Sequence, residues 1–531
     1  MCSRTYFMAL LLVYLFSSIL NSQTPMIKWW FDTKSFSAGQ TAAADIDGDG
    51  KLELVFGCYR NDGGIYALNS EDGTLLWSYF PHTPPREGCN DVAPVIYDVD
   101  GDSKLDVVVP CSCTNVTICL NGKTGDLKWK TITRGSDSPP TIADLDGNGK
   151  SEILHGEFLG WVRCLNGANG STLWELPVNM NSWIQTAPTI VDLNNDGQLD
   201  FVVGTWEFSK KDSIYAFDGK TRKNLWKKPI HNWMYHGTSV ADFDNDNKPE
   251  LLIGSYNDTL YCINGENGST EWKYFADGSS IGGPPVIGDI DNDGKCEVVF
   301  SSWYKVIALS DKGALKWKYN IPSFTYNFRG MVLSDINNDA YTDVLFGTKA
   351  GEFIALNGKD GKQIFRMDMA AHYGNSLFDI NHAPVIADFD KDGTLDAFFV
   401  GGYGEYPAIE KGFGRAYMVT IGKGNGPEWL MFQRDVRRQS SMCFDYLSAE
   451  KSSDPDLFSD LEIFPNPTFS DFTINCGDEV LHISVFDLNG SIFQEIKDCK
   501  GPQTLNIDKK GVFIIKLSKK GFYTYRKLII Y

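Results

Sequence analysis

Histidine is scarce, with seven in 531 residues. The chain has no Ser-His-Asp elbow, no zinc-ligating cluster and no glycine-rich phosphate loop. Those gaps remove the sequence signatures of serine hydrolases, zinc enzymes and nucleotide-binding folds. Net positive charge is also missing: the formal charge is −19. Such a chain repels nucleic acid and anionic lipid, and no nucleic-acid partner is expected. No segment repeats its apolar residues with a helical period. Beyond the first 22 residues no apolar stretch is long enough to cross a bilayer, so no transmembrane segment is expected.

The first 22 residues differ from the rest. Arg4 gives a positive start, Phe7 to Leu20 are almost all apolar, and small polar residues follow. This pattern predicts a signal peptide over 1–22 and an exported protein. Export permits disulfides among the 12 cysteines. Cys119, Cys164 and Cys262 take one equivalent strand position in three repeats where others have Ala, and so read as small core residues. Cys58, Cys89, Cys111 and Cys113 fall close enough in the repeats for one or two bridges. Cys476 and Cys499 are candidates for a pair near the C-terminus.

One unit recurs eight times. Each copy has a short apolar run, an acidic loop, a second apolar run, a strand like Tyr66-Ala-Leu-Asn, a Gly turn and a Trp strand. Four short β-branched or aromatic runs separated by Gly, Asn and Asp turns predict four strands per unit. Four strands at a period of 46 to 53 residues predict an all-β chain built as an eight-bladed β-propeller, or seven-bladed if a terminal unit is irregular. Ile27 to Phe31 resembles an extra Trp strand able to complete the last blade. The expected division is 1–22 signal peptide, 23–438 propeller, 439–459 a Ser-, Asp- and Lys-rich linker, and 460–531 a small β-sandwich.

The acidic loops read Asp-x-Asp/Asn-x-Asp/Asn-Gly-x-x-Asp/Glu. The first uses Asp45, Asp47, Asp49 and Glu53; the second Asp98, Asp100, Asp102 and Asp106. The third uses Asp144, Asp146, Asn148 and Glu152; the fourth Asp192, Asn194, Asp196 and Asp200. The fifth uses Asp242, Asp244, Asp246 and Glu250; the sixth Asp289, Asp291, Asp293 and Glu297. The seventh uses Asp335, Asn337, Asp339 and Asp343; the eighth Asp388, Asp390, Asp392 and Asp396. In a tight turn, side chains at positions 1, 3 and 5 converge on one centre and a carboxylate at 9 closes the shell. That oxygen-only set suits Ca²⁺, and several structural Ca²⁺ ions are expected. Gly at position 6 permits the bend; Ser103, Asn247 and Ala340 stand there in the second, fifth and seventh loops. Turn formation alone would account for one such loop, but eight aligned copies with carboxylates packed together call for a cation.

These repeats resemble the FG-GAP or VCBS family of calcium-binding propeller repeats, over Asp45 to about Asp396. The second half of each unit, Tyr-Ala-Leu-Asn followed by Gly and Trp, looks like the tryptophan-docking motif of quinoprotein propellers. Its aromatic positions are Trp77, Trp129, Trp174, Trp226, Trp272, Trp317 and Trp429, with Phe365 in the seventh unit. The resemblance implies that each ring packs between blades. Quinoprotein alcohol dehydrogenases hold their cofactor with an adjacent Cys-Cys pair. Here Ser112 separates Cys111 from Cys113, so the fold is implied and no PQQ is expected. At the other end, Phe464-Pro-Asn-Pro-Thr468, the Val485 to Gly490 turn and the closing Arg526 to Tyr531 resemble a type IX secretion sorting domain. That implies the type IX machinery as a partner, and a secreted or outer-membrane surface-attached protein.

Aromatics outside the repeat fall in loops on the propeller face opposite the acidic turns. The candidate binding set is Trp183, Trp206, Trp233, Tyr235, His236, Trp303, Arg329 and His372, with Tyr256, Tyr304, Tyr326 and Phe328 nearby. Clustered loop aromatics beside charged groups suit a sugar chain. The expected function is a secreted calcium-binding module for a carbohydrate or other extracellular ligand. One alternative is a polysaccharide lyase drawing a base and a cation from His236, His372, Arg86 and Arg329. A second is an adhesin or scaffold for a protein partner; the structural alternative for the aromatics is that they cap the channel and fold over one another.

Overall fold

The computed structural model describes residues 24–443 apart from 83–87, 91, 245, 247, 279, 323–324 and 405–407, together with the strands of the C-terminal region. The expected signal peptide, Arg86, Asn247, Cys476, the side chain of Cys499 and residues 444–459 lie outside what is described.

Eight four-stranded antiparallel sheets follow one another along the chain. Blade 1 runs outward through Ala42–Ala44, Glu53–Gly57, Ile65–Asn69 and Leu75–Tyr79. The inner strands of blades 2 to 8 are Val95–Tyr97, Thr141–Ala143, Thr189–Val191, Ser239–Ala241, Val286–Gly288, Val332–Ser334 and Val385–Ala387. The second strands are apolar and buried on both sides, because each blade packs against two neighbours. Apolar clusters join each blade to the next all the way round, including blade 8 to blade 1 through Phe398, Val400, Leu54 and Phe56. The ring is therefore closed with eight blades, and the sheet edges that remain are the short outer strands.

Closure uses the two ends of the propeller together. Blade 8 takes Val385–Ala387, Leu395–Tyr403 and Phe413–Gly422 from the end of the ring, and Met26–Thr33 from its beginning as the outer strand. This corrects one expectation: the eighth docking aromatic is Trp29, not Trp429. The Trp29 indole N–H donates to Ser70 O at 2.9 Å, just as Trp77 donates to Gly122 O and Trp129 to Gly167 O. Six of the eight rings, those of Trp29, Trp77, Trp129, Trp226, Trp272 and Trp317, lie over a turn glycine of the next blade. A Cβ on Gly73, Gly125 or Gly268 would stand 2.5 to 2.7 Å from that ring. Each of these glycines also has φ near +70°. Blade 4 departs from the pattern: Arg222 replaces the glycine at φ 61° and lays its guanidinium over Trp174.

In every outer strand the residue just before the docking aromatic is a β-bulge, skipped by the pairing register. These residues are Lys28, Leu76, Lys128, Leu173, Leu225, Glu271, Lys316 and Ile364. A bulge re-aims its side chain out of the pleat.

The axis of the ring is filled by the chain itself. Residues 426–442 circle the channel and pair with one inner strand after another. Gly426 O accepts from Asp335, Trp429 O from Ile386 and Leu430 O from Ala43. Val436, Arg437, Gln439 and Ser440 then accept from Ile142, Ile190, Val240 and Ile287. Blade 2 is met by a side chain, where Arg438 Nη2 donates to Pro94 O. Gln439, Ser440 and Ser441 are buried, and Cys443 is bonded to Cys296. Residues 439–443, expected in the linker, are thus core of the propeller; their polar composition serves backbone carbonyls around the axis. Of the other cysteines, Cys89 pairs with Cys113, while Cys58, Cys111, Cys119, Cys164 and Cys262 are buried thiols.

The C-terminal strands form two sheets, Ile463–Phe464, Asp471–Asn475 and Pro502–Asn506 in one, and Leu481–Asp487, Ile492–Cys499, Gly511–Lys519 and Phe522–Ile530 in the other. Phe472, Ile474 and Leu505 of the first pack with Ile483, Val485 and Phe513 of the second, a small sandwich.

Candidate cation loops and aromatic face

All eight acidic loops sit between the first and second strands of their blades, on one face. Their geometry repeats. In loop 1, Asp45 accepts from Gly48 and Gly50 N–H at 2.7 and 2.9 Å, and Asp49 accepts from Lys51 N–H. Glu53 Oε2 accepts from Ile46 N–H at 2.8 Å. Equivalent bonds bind Glu152 to Leu145, Asp200 to Leu193 and Asp343 to Ile336. One oxygen of the position-9 carboxylate is thereby spent on the backbone, and the other faces the loop centre.

The donors present fit a hard divalent cation. Asp45, Asp47 and Glu53 each offer an oxygen within 4.8 Å of the others, as do Asp144, Asp146 and Glu152; Asp289, Asp291, Asp293 and Glu297 also converge, there around the Lys316 ammonium. Oxygens at 2.3–2.6 Å from a common ion span about that distance. Asp200 Oδ1 and Asp343 Oδ1 are buried and without a hydrogen-bond partner. Burial, with the neighbouring Asp charges, pushes the carboxyls of Glu53, Glu152, Asp200 and Glu250 up to about 7 and that of Asp343 to about 8. Asp106 and Asp396 rise less, to about 6, because Lys128 and Lys28 stand beside them.

The opposite face carries the loops between second and third strands and the links between blades. It assembles most of the expected binding set into one stripe over blades 4 to 6. Trp206 and Trp233 stack with centroids 4.6 Å apart and planes 8° from parallel. Tyr235 and Tyr256 pack edgewise against Trp206. Tyr235 touches Phe328, Phe328 touches Tyr326, and Tyr326 stacks on Trp303 at 4.9 Å. Trp183 pairs in backbone register with Trp206 and packs on Phe158 and Phe208, the latter 68% exposed. His372 does not join them. It follows the outer strand of blade 7 in the short helix Met369–Tyr373, bonds Tyr417 Oη through Nδ1 and packs on Trp30 of blade 8.

Where the stripe meets the axis there is a shallow depression with room for about one water, lined by Gln40, Asp137, His236, Arg329, His382 and Phe432 among others. Arg329 donates to Ala38 O and Tyr235 Oη and lies over the Tyr235 and Phe328 rings. His236 is 3% exposed and its Nε2 has no hydrogen-bond partner. Nothing in the repeat pattern points to Phe432 here, because it belongs to the non-repeating segment that fills the channel. That segment also places Trp429 and Arg438 fully buried on the axis.

His382 is completely buried and bonded to backbone at Ala383 and Val400. Burial, with a contribution from Arg329, lowers it to about 4. A histidine whose folded-state pKa is depressed contributes stability that is complete above its unfolded value and lost as pH falls through the folded value. Between about pH 6.5 and 4, His382 alone is expected to remove about 3 kcal/mol. His382→Gln removes that part of the slope, measurable by urea unfolding at stepped pH.

Comparisons with known proteins agree with this architecture. Residues 45–109 and 98–155 match the FG-GAP-like repeat, and residues 210–429 match the outer membrane protein assembly factor BamB. Residues 462–531 match the secretion system C-terminal sorting domain, which marks the chain for type IX export to the cell surface or extracellular space. No helix among the described residues is long and apolar enough to cross a membrane. A curated relative, rhamnogalacturonan endolyase YesW of Bacillus subtilis, is 25% identical over 263 residues, covering 42% of this chain and 38% of its own length. The chain thus spans well under half of that relative. The Vibrio cholerae biofilm matrix protein Bap1 is similar in structure, with TM-score 0.55 and 14% identity over 77% of this chain and 94% of its own. The quinohemoprotein alcohol dehydrogenase ADHIIG of Pseudomonas putida has TM-score 0.53 and 14% identity over 75% and 76%. At these identities the likeness is one of fold.

Proposed function

We propose that this exported propeller binds an extracellular polysaccharide or glycan on its aromatic face, and that Ca²⁺ in its acidic loops is structural. The observation that carries this reading is the continuous stripe of rings from Trp206 to Trp303, partly exposed except for the buried Tyr235, which passes Arg329 beside a depression on the axis. Flat rings next to a guanidinium match the apolar faces and polar edges of sugars. The Ca²⁺ reading rests on the repeated oxygen-only donor sets. Each ion would tie the hairpin between first and second strands, far from the ligand.

Trp206→Ala and Trp303→Ala are expected to abolish retardation of the chain in polysaccharide affinity gels, a loss of at least ~10-fold per ring if each ring supplies ~1.5 kcal/mol. Thermal unfolding and circular dichroism should show the variants folded. Undiminished retardation of folded variants sinks the proposal.

A lyase is favoured by one feature, the unpartnered Nε2 of His236 near Arg329, and by the similarity to a rhamnogalacturonan endolyase. Burial and Arg329 lower the His236 pKa well below the ordinary histidine value, which keeps the imidazole neutral but opposes the imidazolium that proton abstraction would form. Absorbance from unsaturated products on uronate-containing polymers, abolished in His236→Ala, would identify it. Binding without that absorbance leaves the module reading.

A further inference from the structure

In three blades the re-aimed bulge residue is a lysine, and its ammonium lies inside the acidic loop of its own blade. Lys128 Nζ is 2.5 Å from Asp100 and 2.8 Å from Asp106. Lys316 Nζ is 2.6 Å from Asp291 and 2.7 Å from Glu297, with Asp293 at 3.8 Å. Lys28 Nζ contacts Asp390 and stands 3.0 Å from Asp396. In each case the ammonium bridges loop positions 3 and 9, two of the oxygens a central ion would need. The other five blades carry Leu76, Leu173, Leu225, Glu271 and Ile364 at this register position, none of which brings a positive charge. In two of those five, the position-9 carboxylates Asp200 and Asp343 are at most 1% exposed and keep one oxygen unpartnered, whereas in the lysine blades the unpartnered buried oxygens, of Asp291 and Asp390, are at position 3 and none is at position 9.

We propose that Lys28, Lys128 and Lys316 act as built-in counter-cations, so that blades 2, 6 and 8 hold their loops without a divalent ion while the remaining five blades require one. The inference rests on the reading that the loops bind Ca²⁺. An ammonium offers three donors and one positive charge on a flexible stem. It can bridge two carboxylates, but it cannot share a loop centre with Ca²⁺ because the two cations repel at a few ångströms. The bulge residue therefore selects between a tethered cation, always present, and an exchangeable one that follows the Ca²⁺ concentration. Glu271 in blade 5 stands at the opposite extreme, adding a carboxylate where three blades add an ammonium.

The test is equilibrium dialysis of the full chain against Ca²⁺, counting ions bound per chain. Five ions are expected. Lys316→Met removes the charge at similar size and should raise the count to six, while Lys316→Arg should leave it at five. Leu225→Lys, which installs an ammonium in blade 4, should lower it to four. Either direction of change can be read even if one variant fails to fold. Eight ions on the unaltered chain, or a count that ignores these substitutions, overturns the inference while leaving the Ca²⁺ reading intact. No bound Ca²⁺ at all overturns that reading itself.

Discussion

Removing Ca²⁺ with a chelator is expected to lower the thermal unfolding midpoint of the full chain by on the order of 15 °C. A site held at 100 times its dissociation constant stabilises the folded state by about 2.7 kcal/mol. Five such sites amount to roughly 13 kcal/mol, comparable to the whole stability of an ordinary domain; spread over a chain of this size, that is the expected drop at a few degrees or less per kcal/mol. Two features make the effect cooperative. Each loop joins the two inner strands of a blade, and each blade shares its core with both neighbours. A blade that loosens therefore exposes two interfaces. Indole fluorescence reports the change directly, because the docking tryptophans lie between blades with their N–H groups bonded to the next turn. A midpoint unmoved by chelation would show that hydrogen bonds and lysines already satisfy the loops.

Arg438→Leu is expected to cost about 3–5 kcal/mol, the range for removing one partner from a buried, hydrogen-bonded charge. Arg438 is fully buried on the axis. Its Nε donates to Pro140 O at 3.0 Å, Nη1 to Phe432 O at 2.6 Å and Nη2 to Pro94 O at 3.3 Å. One side chain thus ties the channel-filling segment to the entries of blades 2 and 3. Leucine fills some of the volume but leaves three buried carbonyls unpaired and Asp435 with Arg434 as its remaining nearby positive charge. Urea unfolding of the full chain measures the cost. A loss below about 1 kcal/mol, the size of an ordinary surface change, would mean that the segment is not integral to the ring.

What could be read from the sequence follows the repeat. Loop positions, strand count and docking rings recur at a fixed spacing, and each copy supports the others. Trp29 also belonged to the pattern, but it lies at the far end of the chain from the blade it completes. Trp429 stood nearer in sequence and is instead packed on the axis. Ring closure is a non-local pairing, so spacing along the chain points to the wrong partner. Residues 426–443 were opaque for a related reason. They occur once, and their hydrogen bonds go to inner strands scattered from Ala43 to Ile386. From Gln439 on, their Ser and Gln side chains look like a solvated linker until those carbonyls are in view. The Cys296–Cys443 bond, 147 residues apart, was hidden in the same way. The aromatic face was legible as a set of loops on one side, since alternating turns assign faces. Which aromatics meet was not: His372 shares the pattern yet sits near Trp30 at the edge of blade 8. The Lys-Trp pairs at 28–29, 128–129 and 316–317 were present in the sequence, but only the bulge shows where the lysine is aimed.

The most direct test of the central claim is a glycan-array screen of the full chain in Ca²⁺, run beside Trp206→Ala. The account predicts that the unaltered chain retains a defined set of glycans and that the variant, equally folded, retains none of them. A folded, Ca²⁺-loaded chain that binds no glycan would contradict the account and turn the aromatic face toward a protein partner.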